Sequence, residues 1–575
     1  MPSRYFQRKL AILATGLAFS AAFAPQIGQA QDGDAGAYLA ASVAATQSDY
    51  RAASAWYARA VLADPTNPTL LDGAVISYLG IGEMGLAAEM ARRLIDTGTK
   101  SQTAYLALIA KNAKANDYAA ILKDASAGNS AGALVDDLVV AWAKLGLGQM
   151  SQATETFNKI ANTKGLEAFG LYHKALALAQ AGDFEGADEI LSGRAAGPLV
   201  VMQRGAIAHI EILSQLERNA DAIAVIDRSF APGIDLQVDD LRRRLVAGEP
   251  LPFDIVRNAT DGLAEVFFTT ASALNGEADD GYTMIYARIA AQLRPDHTEA
   301  ILMTAGLLEK QGQHDLATDV YAMIPPSDPA FHVAEIGRAD ATFAAGRKEA
   351  SLEILQALAR THGQLLMVQL SLGDGLRRQE RFAEALKPYD AAIAMVPTPG
   401  PEHWSIFYSR GICHERGGSF DLAEADMRRA LELQPDEPQV LNYLGYSLVD
   451  RGEKLDEALA MIERAVTIRP DSGYIIDSLA WAYYRLGRYD EALAPMEQAS
   501  LLEPVDPVVT DHLGDVYWAV GRTREAEFQW HRALSFDPVE KDAARIRLKL
   551  EVGLDAVLAQ ESTAPPKPVD AAQAD

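Results

Sequence analysis

A single cysteine, Cys413, serves all 575 residues. That excludes an internal disulfide framework and a paired-cysteine zinc site. Aromatic residues make up only 7% of a chain that is 49% hydrophobic, so alanine and aliphatic side chains must fill most of the core. The ten histidines are scattered, with no two at metal-ligand spacing on one plausible helix. A phosphate-binding glycine loop and a calcium loop are both missing, and neither a cofactor nor a metal is expected. No alternation of β-branched residues runs long enough to argue for a sheet. Beyond the N-terminal segment, no apolar run reaches transmembrane length. Basic residues are outnumbered 52 to 78, for a net charge of −26, which makes nucleic acid and anionic lipid head groups poor partners.

Three local patterns imitate catalytic or binding motifs and fail on context. Gly128–Gly132 reads GNSAG, but a nucleophile elbow needs a strand before the serine, and YAAILKDASA reads as a helix. HERGG begins like a zinc-protease helix, yet the residue four after His414 is Gly418. Arg242–Arg243–Arg244 lies beside VDD and reads as a solvated helix face. Cys413 is expected in the core. A reactive pair with His414 fails because adjacent helix residues point in different directions. With no residue to name as catalytic, the chain reads as a non-enzyme.

What is present is a period. Pro397, Pro435, Pro470, Pro504 and Pro538 are spaced by 38, 35, 34 and 34 residues. Ala385, Ala423, Ala458, Ala492 and Ala526 keep that register, as do Ala392, Ala430, Ala465, Ala499 and Ala533. The last unit shows the logic. VVTDHLGDVYWAV forms a first helix whose Leu513–Gly514 pair admits close approach, and TREAEFQWHRALSF forms a second with Ala526, Trp530 and Ala533. Trp530 is expected to fill space between units. Proline then stops the helix, because it lacks the amide hydrogen and clashes with the preceding turn. An insert, TPGPEHW, accounts for the longest spacing.

Two small positions, a helix stop and a period of about 34 residues resemble the tetratricopeptide repeat, strongly over 366–540. The resemblance implies an all-α fold, a tandem helix–turn–helix solenoid wound as a right-handed superhelix, and a protein-binding role. It also implies an inner wall lined by the first helix of each unit. The matching positions are Tyr408, Ile412, Asn442, Tyr446, Tyr474, Asp477, Trp481, Tyr484, Asp511, Asp515 and Trp518. Rings and carboxylates dominate this wall and basic residues are nearly absent from it. An extended polypeptide, apolar or basic, is therefore the expected partner. The basic clamp with which some relatives grip an acidic C-terminus is not reproduced, since only Asn442 matches it.

Upstream the pattern weakens. Tyr57 with Ala53, Ala60 and Pro65 is in register, as is Tyr321 with Ala317 and Pro329. The expected organisation is a signal peptide at 1–30, degenerate helical repeats at 31–230, an irregular junction at 231–282 and a repeat array at 283–540. A single capping helix at 541–560 and a disordered tail at 561–575 follow. Stretch 228–282 reads as a junction between solenoid segments or as a long loop lying in the superhelix. A third reading is an insert holding Asp254, Asp261, Glu265, Asp279 and Asp280, but it has no nucleophile–base pair.

From DGLAEVFFTTASAL to the last repeat, roughly 230–560, the order of segments resembles long bacterial envelope tetratricopeptide proteins. One of that group is an outer-membrane lipoprotein that partners a carboxyl-terminal processing protease acting on cell-wall hydrolases. The resemblance implies an envelope scaffold or adaptor, with a role in envelope or polysaccharide assembly as the alternative. No lipobox cysteine is present. Arg4, Arg8 and Lys9 precede the short apolar stretch LAILATGLAFSAAF, with Gly28 and Ala30 at small-residue positions. Cleavage after Ala30 and a periplasmic product are expected. N-terminal sequencing of the mature protein should start at Gln31. A chain starting near Met1 and sedimenting with membranes contradicts this.

Overall fold

The computed structural model describes residues 34–563 apart from 198, 200, 201, 232 and 234. The expected signal peptide and most of the expected tail lie outside these residues. Among the described residues there are 31 α-helices and no strand. The helices fall into two compact units, residues 1–345 and 346–575.

Local sequence sets the helix ends. Asp49, Asn67 and Asp506 accept hydrogen bonds from the first free amides of their helices, and Pro68 and Pro507 occupy the first helical position, where no amide hydrogen is needed. The periodic prolines follow helices that have already ended: Leu455–Ile468 stops before Pro470 and Tyr489–Leu502 before Pro504. Each helix then packs chiefly on the one before and the one after it.

Close approach of neighbouring helices, within a pair or between pairs, rests at several places on a glycine facing a ring. A Cβ on Gly514 would stand 2.4 Å from the Trp530 indole, one on Gly373 2.8 Å from Tyr389, and one on Gly73 2.3 Å from Tyr57. Trp530 therefore fills space inside its own helix pair, not only between units. Its ring is fully buried, and its N–H donates to Asp515 Oδ1 at 3.0 Å.

In the first unit the stretch read as an irregular junction contains two helices, Leu236–Val246 and Ala259–Leu274. The second packs on Ala133–Gly146, with further contacts to Gln102–Lys114 and Glu167–Gln180. It is buried around almost its whole circumference, from Ala259 to Ala271, as a helix without a polar face must be. Gly262 lies against Trp142, where a Cβ would fall 2.2 Å from the ring. The next helix, Asp280–Leu293, packs on Pro68–Ile81, and Arg288 donates to the Gly80 carbonyl at 2.6 Å. These helices thus fill the first unit from within, which the spacing of turn residues does not reveal.

The carboxylates of that stretch are engaged structurally. Glu265, fully buried, receives Arg204 Nε at 2.5 Å and faces His297 Nε2 at 3.3 Å. Burial raises its pKa, but Arg204 and His297 outweigh burial and hold it at about 2. Asp261 pairs with Arg257 at 2.7 Å, Asp279 caps the amide of Tyr282, Asp254 lies 3.7 Å from Arg294, and Asp280 lies 3.9 Å from Lys310. His173 accepts the Trp142 N–H at 3.2 Å, and burial draws its pKa down to about 4, so it is neutral.

The motif imitations resolve similarly. Ser130 sits in a loop after Tyr118–Ser126 and donates to Asp136 at 2.5 Å. Arg242, Arg243 and Arg244 pair with Asp227, Asp240 and Glu249. Cys413 is fully buried, and burial pushes its thiol up to about 12. At the C-terminal end the expected single capping helix is two, Glu540–Val552 and Leu554–Thr563. They are divided at Gly553, whose φ of +82° is one that side chains with a Cβ rarely adopt.

Gly514→Val should cost about 1–3 kcal/mol, since the indole cannot retreat from a packed core. Trp530→Ala should cost about 3–5 kcal/mol. Phe528→Ala, at a ring 66% exposed, should change stability by less than about 0.5 kcal/mol. Urea denaturation of the three variants measures this; an unchanged midpoint for Gly514→Val would sink the close-approach argument.

Candidate functional site

In the second unit, the helices Pro438–Arg451, Gly473–Arg485 and Pro507–Ala519 are the first members of three successive pairs. With the capping helix Glu540–Val552 they enclose a cavity of about 200 Å³. Of the residues expected on the inner wall, Asn442, Tyr446, Tyr474, Asp477 and Asp511 line it. Ser447, Asp506, His512, Asp542 and Arg545 also line it.

The other expected wall residues lie elsewhere. Ile412 is in the core with Phe407, Tyr443 and Leu444. Tyr408 is half-buried between the rings of Trp404 and Tyr443, each 5.9 Å away. Trp481 is sandwiched: its ring stacks on Tyr484 at 4.7 Å and on His512 at 3.9 Å, both at 14°.

Asp511, Asp515 and Trp518 require a correction, because the capping helix covers them. Lys549, 1% exposed, places Nζ 2.7 Å from Asp511 and 2.6 Å from Asp515. Arg545 adds contacts at 3.8 and 3.5 Å. Two carboxylates and two cations form a near-neutral buried cluster, the only form in which such charges are tolerated away from water. Burial pushes the Asp511 carboxyl up even with Lys549 beside it. Trp518 packs on Trp530 at 5.4 Å and against Gly553, where a Cβ would come within 3.0 Å of its ring. Neither the two carboxylates nor Trp518 is free to meet a partner. Lys549 and Arg545 sit four residues apart and share one helix face, a signal visible in RIRLKL, although that face turns inward and not toward solvent.

Asp477 is also engaged. Its two oxygens lie 3.0 Å from His512 Nδ1. Burial draws the His512 pKa down, but Asp477, with Asp511 and Asp515 behind it, more than offsets this and holds it above the usual histidine range. What stays open is the Tyr474 ring, 42% exposed; Tyr446, Asp506 and Asp542 are half-buried beside it. Two buried atoms on the wall have no hydrogen-bond partner: Asn442 Oδ1 and Ser447 Oγ. The described residues contain no cluster of metal-binding side chains, and no helix among them is long and apolar enough to cross a membrane.

Family models of the tetratricopeptide repeat match 370–438, 417–473 and 474–500. Residues 370–500 are tetratricopeptide repeats. The same helix-pair packing continues through 507–534 beyond the matched span, with Gly514 against Trp530. A similar curated protein is the TPR repeat-containing protein PA4667 of Pseudomonas aeruginosa, 26% identical over 183 residues. That match covers 32% of this chain and 30% of the relative's length. Among solved structures, the APC/C hetero-tetramer Cut9–Hcn1 is 15% identical with a TM-score of 0.38, covering 91% of this chain and 96% of that one. Yeast Tom70 is 13% identical with a TM-score of 0.35, covering 92% and 97%.

The His512–Asp477 pair has a pH signature. A histidine whose folded pKa is raised adds stability that is complete below its unfolded value of about 6.5 and is lost as pH rises through the folded value. The stability gap between the wild type and Asp477→Asn should be widest near pH 6 and close toward alkaline pH in thermal melts. A gap that widens with pH instead contradicts a protonated His512.

Proposed function

We propose that this chain is a non-enzymatic scaffold that holds an extended polypeptide in the cavity of its second unit. The observation that carries this reading is the pair of partnerless buried atoms, Asn442 Oδ1 and Ser447 Oγ, beside the exposed ring of Tyr474 and the half-buried ring of Tyr446. Buried polar atoms in folded proteins almost always have a hydrogen-bond partner. A wall that leaves two of them without one is suited to a partner that brings its own donors, and a polypeptide backbone supplies N–H groups at regular intervals. Tyrosine adds rigid contact area at low entropic cost.

The setting in this reading is the cell envelope, supported by the basic, then apolar, then small-residue order of residues 1–30. Within it, the more specific role is that of an adaptor for a carboxyl-terminal processing protease that acts on cell-wall hydrolases. It rests on the resemblance to long envelope repeat proteins.

With a captured envelope partner, Tyr446→Ala and Tyr474→Ala should each weaken binding by about 2 kcal/mol, roughly thirtyfold. Their helix content should not change. Trp518→Ala should instead lower the melting temperature, because its ring is packed beneath the cap. Titration calorimetry and circular dichroism on the same variants separate the two effects. Unchanged affinity in both tyrosine variants places the binding surface elsewhere. For the adaptor role, the added chain should raise a purified processing protease's turnover of a hydrolase, and an unchanged rate removes that role.

A further inference from the structure

Resting on the groove reading above, we infer that the cavity is a pocket for an arginine side chain of the bound polypeptide. The charges facing the cavity decide this. Two cations line it, His512 and Arg545, and both are already matched. His512 is held by Asp477 at 3.0 Å. Arg545 is held by Glu561 at 2.8 Å and by Asp515 at 3.5 Å. Of the four lining carboxylates, Asp477 is taken by His512 and Asp511 by Lys549. Asp506 and Asp542 remain. Asp506 uses Oδ1 to cap its helix, accepting from the amides of Val508 and Val509 at 2.8 Å each. Neither Asp506 nor Asp542 has an ion-pair partner among the described residues, so the cavity carries two carboxylates that no cation neutralises.

Three features then converge on one side chain. The carboxylates call for a cation. The faces of Tyr446 and Tyr474 offer the ring surface on which a guanidinium stacks. Asn442, 7% exposed, and Ser447, 6% exposed, need hydrogen-bond donors that the protein does not supply. A guanidinium carries five N–H groups in one plane and can serve carboxylates and neutral acceptors together. Lysine concentrates its donors at a point and stacks less well. An apolar side chain would bring neither charge nor a donor of its own, and a carboxylate would be repelled.

The test uses the full mature chain and a nonapeptide library in which each position in turn is fixed as arginine, citrulline, lysine, leucine or glutamate and the rest are randomised. Citrulline keeps the shape of arginine without its charge. Fluorescence anisotropy should show one position at which arginine binds at least tenfold more tightly than citrulline. The double variant Asp506→Asn/Asp542→Asn should abolish that ratio, while Asp421→Asn, at an exposed position outside the cavity, should preserve it. Asparagine caps a helix as well as aspartate does, so the double variant should keep its helix content by circular dichroism. Equal binding of arginine and citrulline, a preference for leucine or glutamate, or an arginine preference that survives the double variant overturns the arginine pocket and leaves the groove. If no library peptide binds at about 1 mM, the groove reading falls with it.

Discussion

The contact between a helix glycine and an aromatic ring on the facing helix is the constraint on which the rest of this structure depends. Gly73 with Tyr57, Gly337 with Tyr321, Gly373 with Tyr389 and Gly514 with Trp530 each leave no room for a Cβ. The contact spends the chain's scarce aromatics where their area counts most, between two backbones. It also explains how a sequence with 7% aromatic residues can bury so many helices. Alanine at the remaining contacts costs no side-chain entropy, and the ring supplies the dispersion contacts that alanine lacks. Because helix pairs follow one another in register, successive first helices stand side by side, and residues some 35 positions apart become neighbours. That is how Asp477 meets His512.

The two units use their inner surfaces differently. The first buries its own helix Ala259–Leu274, together with an ionic cluster in which Glu265 meets Arg204 and His297. Removing one member of such a cluster would strand a charge away from water, so those carboxylates belong to stability. The second unit ends in a capping helix that neutralises Asp511 and Asp515 and lies over Trp518. Around Asn442, Tyr446, Tyr474 and Asp506 the wall keeps the exposed Tyr474 ring, carboxylates without an ion-pair partner and two unpaired hydrogen-bonding atoms.

Much of this was legible in the sequence, for a local reason. A helix is specified by residues within a few positions of one another, and a repeat by the return of the same few residues. The prolines, the alanine register and the Leu-Gly pairs therefore determined the helix pairs and the all-α class. The resemblance to the tetratricopeptide repeat implied one wall for Asn442, Tyr446, Tyr474, Asp477 and Asp511, and these five line the cavity. What only the tertiary structure decided is which of those side chains remain available. Lys549 lies 38 residues from Asp511, and Gly553 lies beyond the last repeat, where the period no longer predicts who faces whom. The helix Ala259–Leu274 meets Ala133–Gly146 across more than a hundred residues of intervening chain. Charge pairing and burial are properties of such distant neighbours, and local spacing carries no record of them.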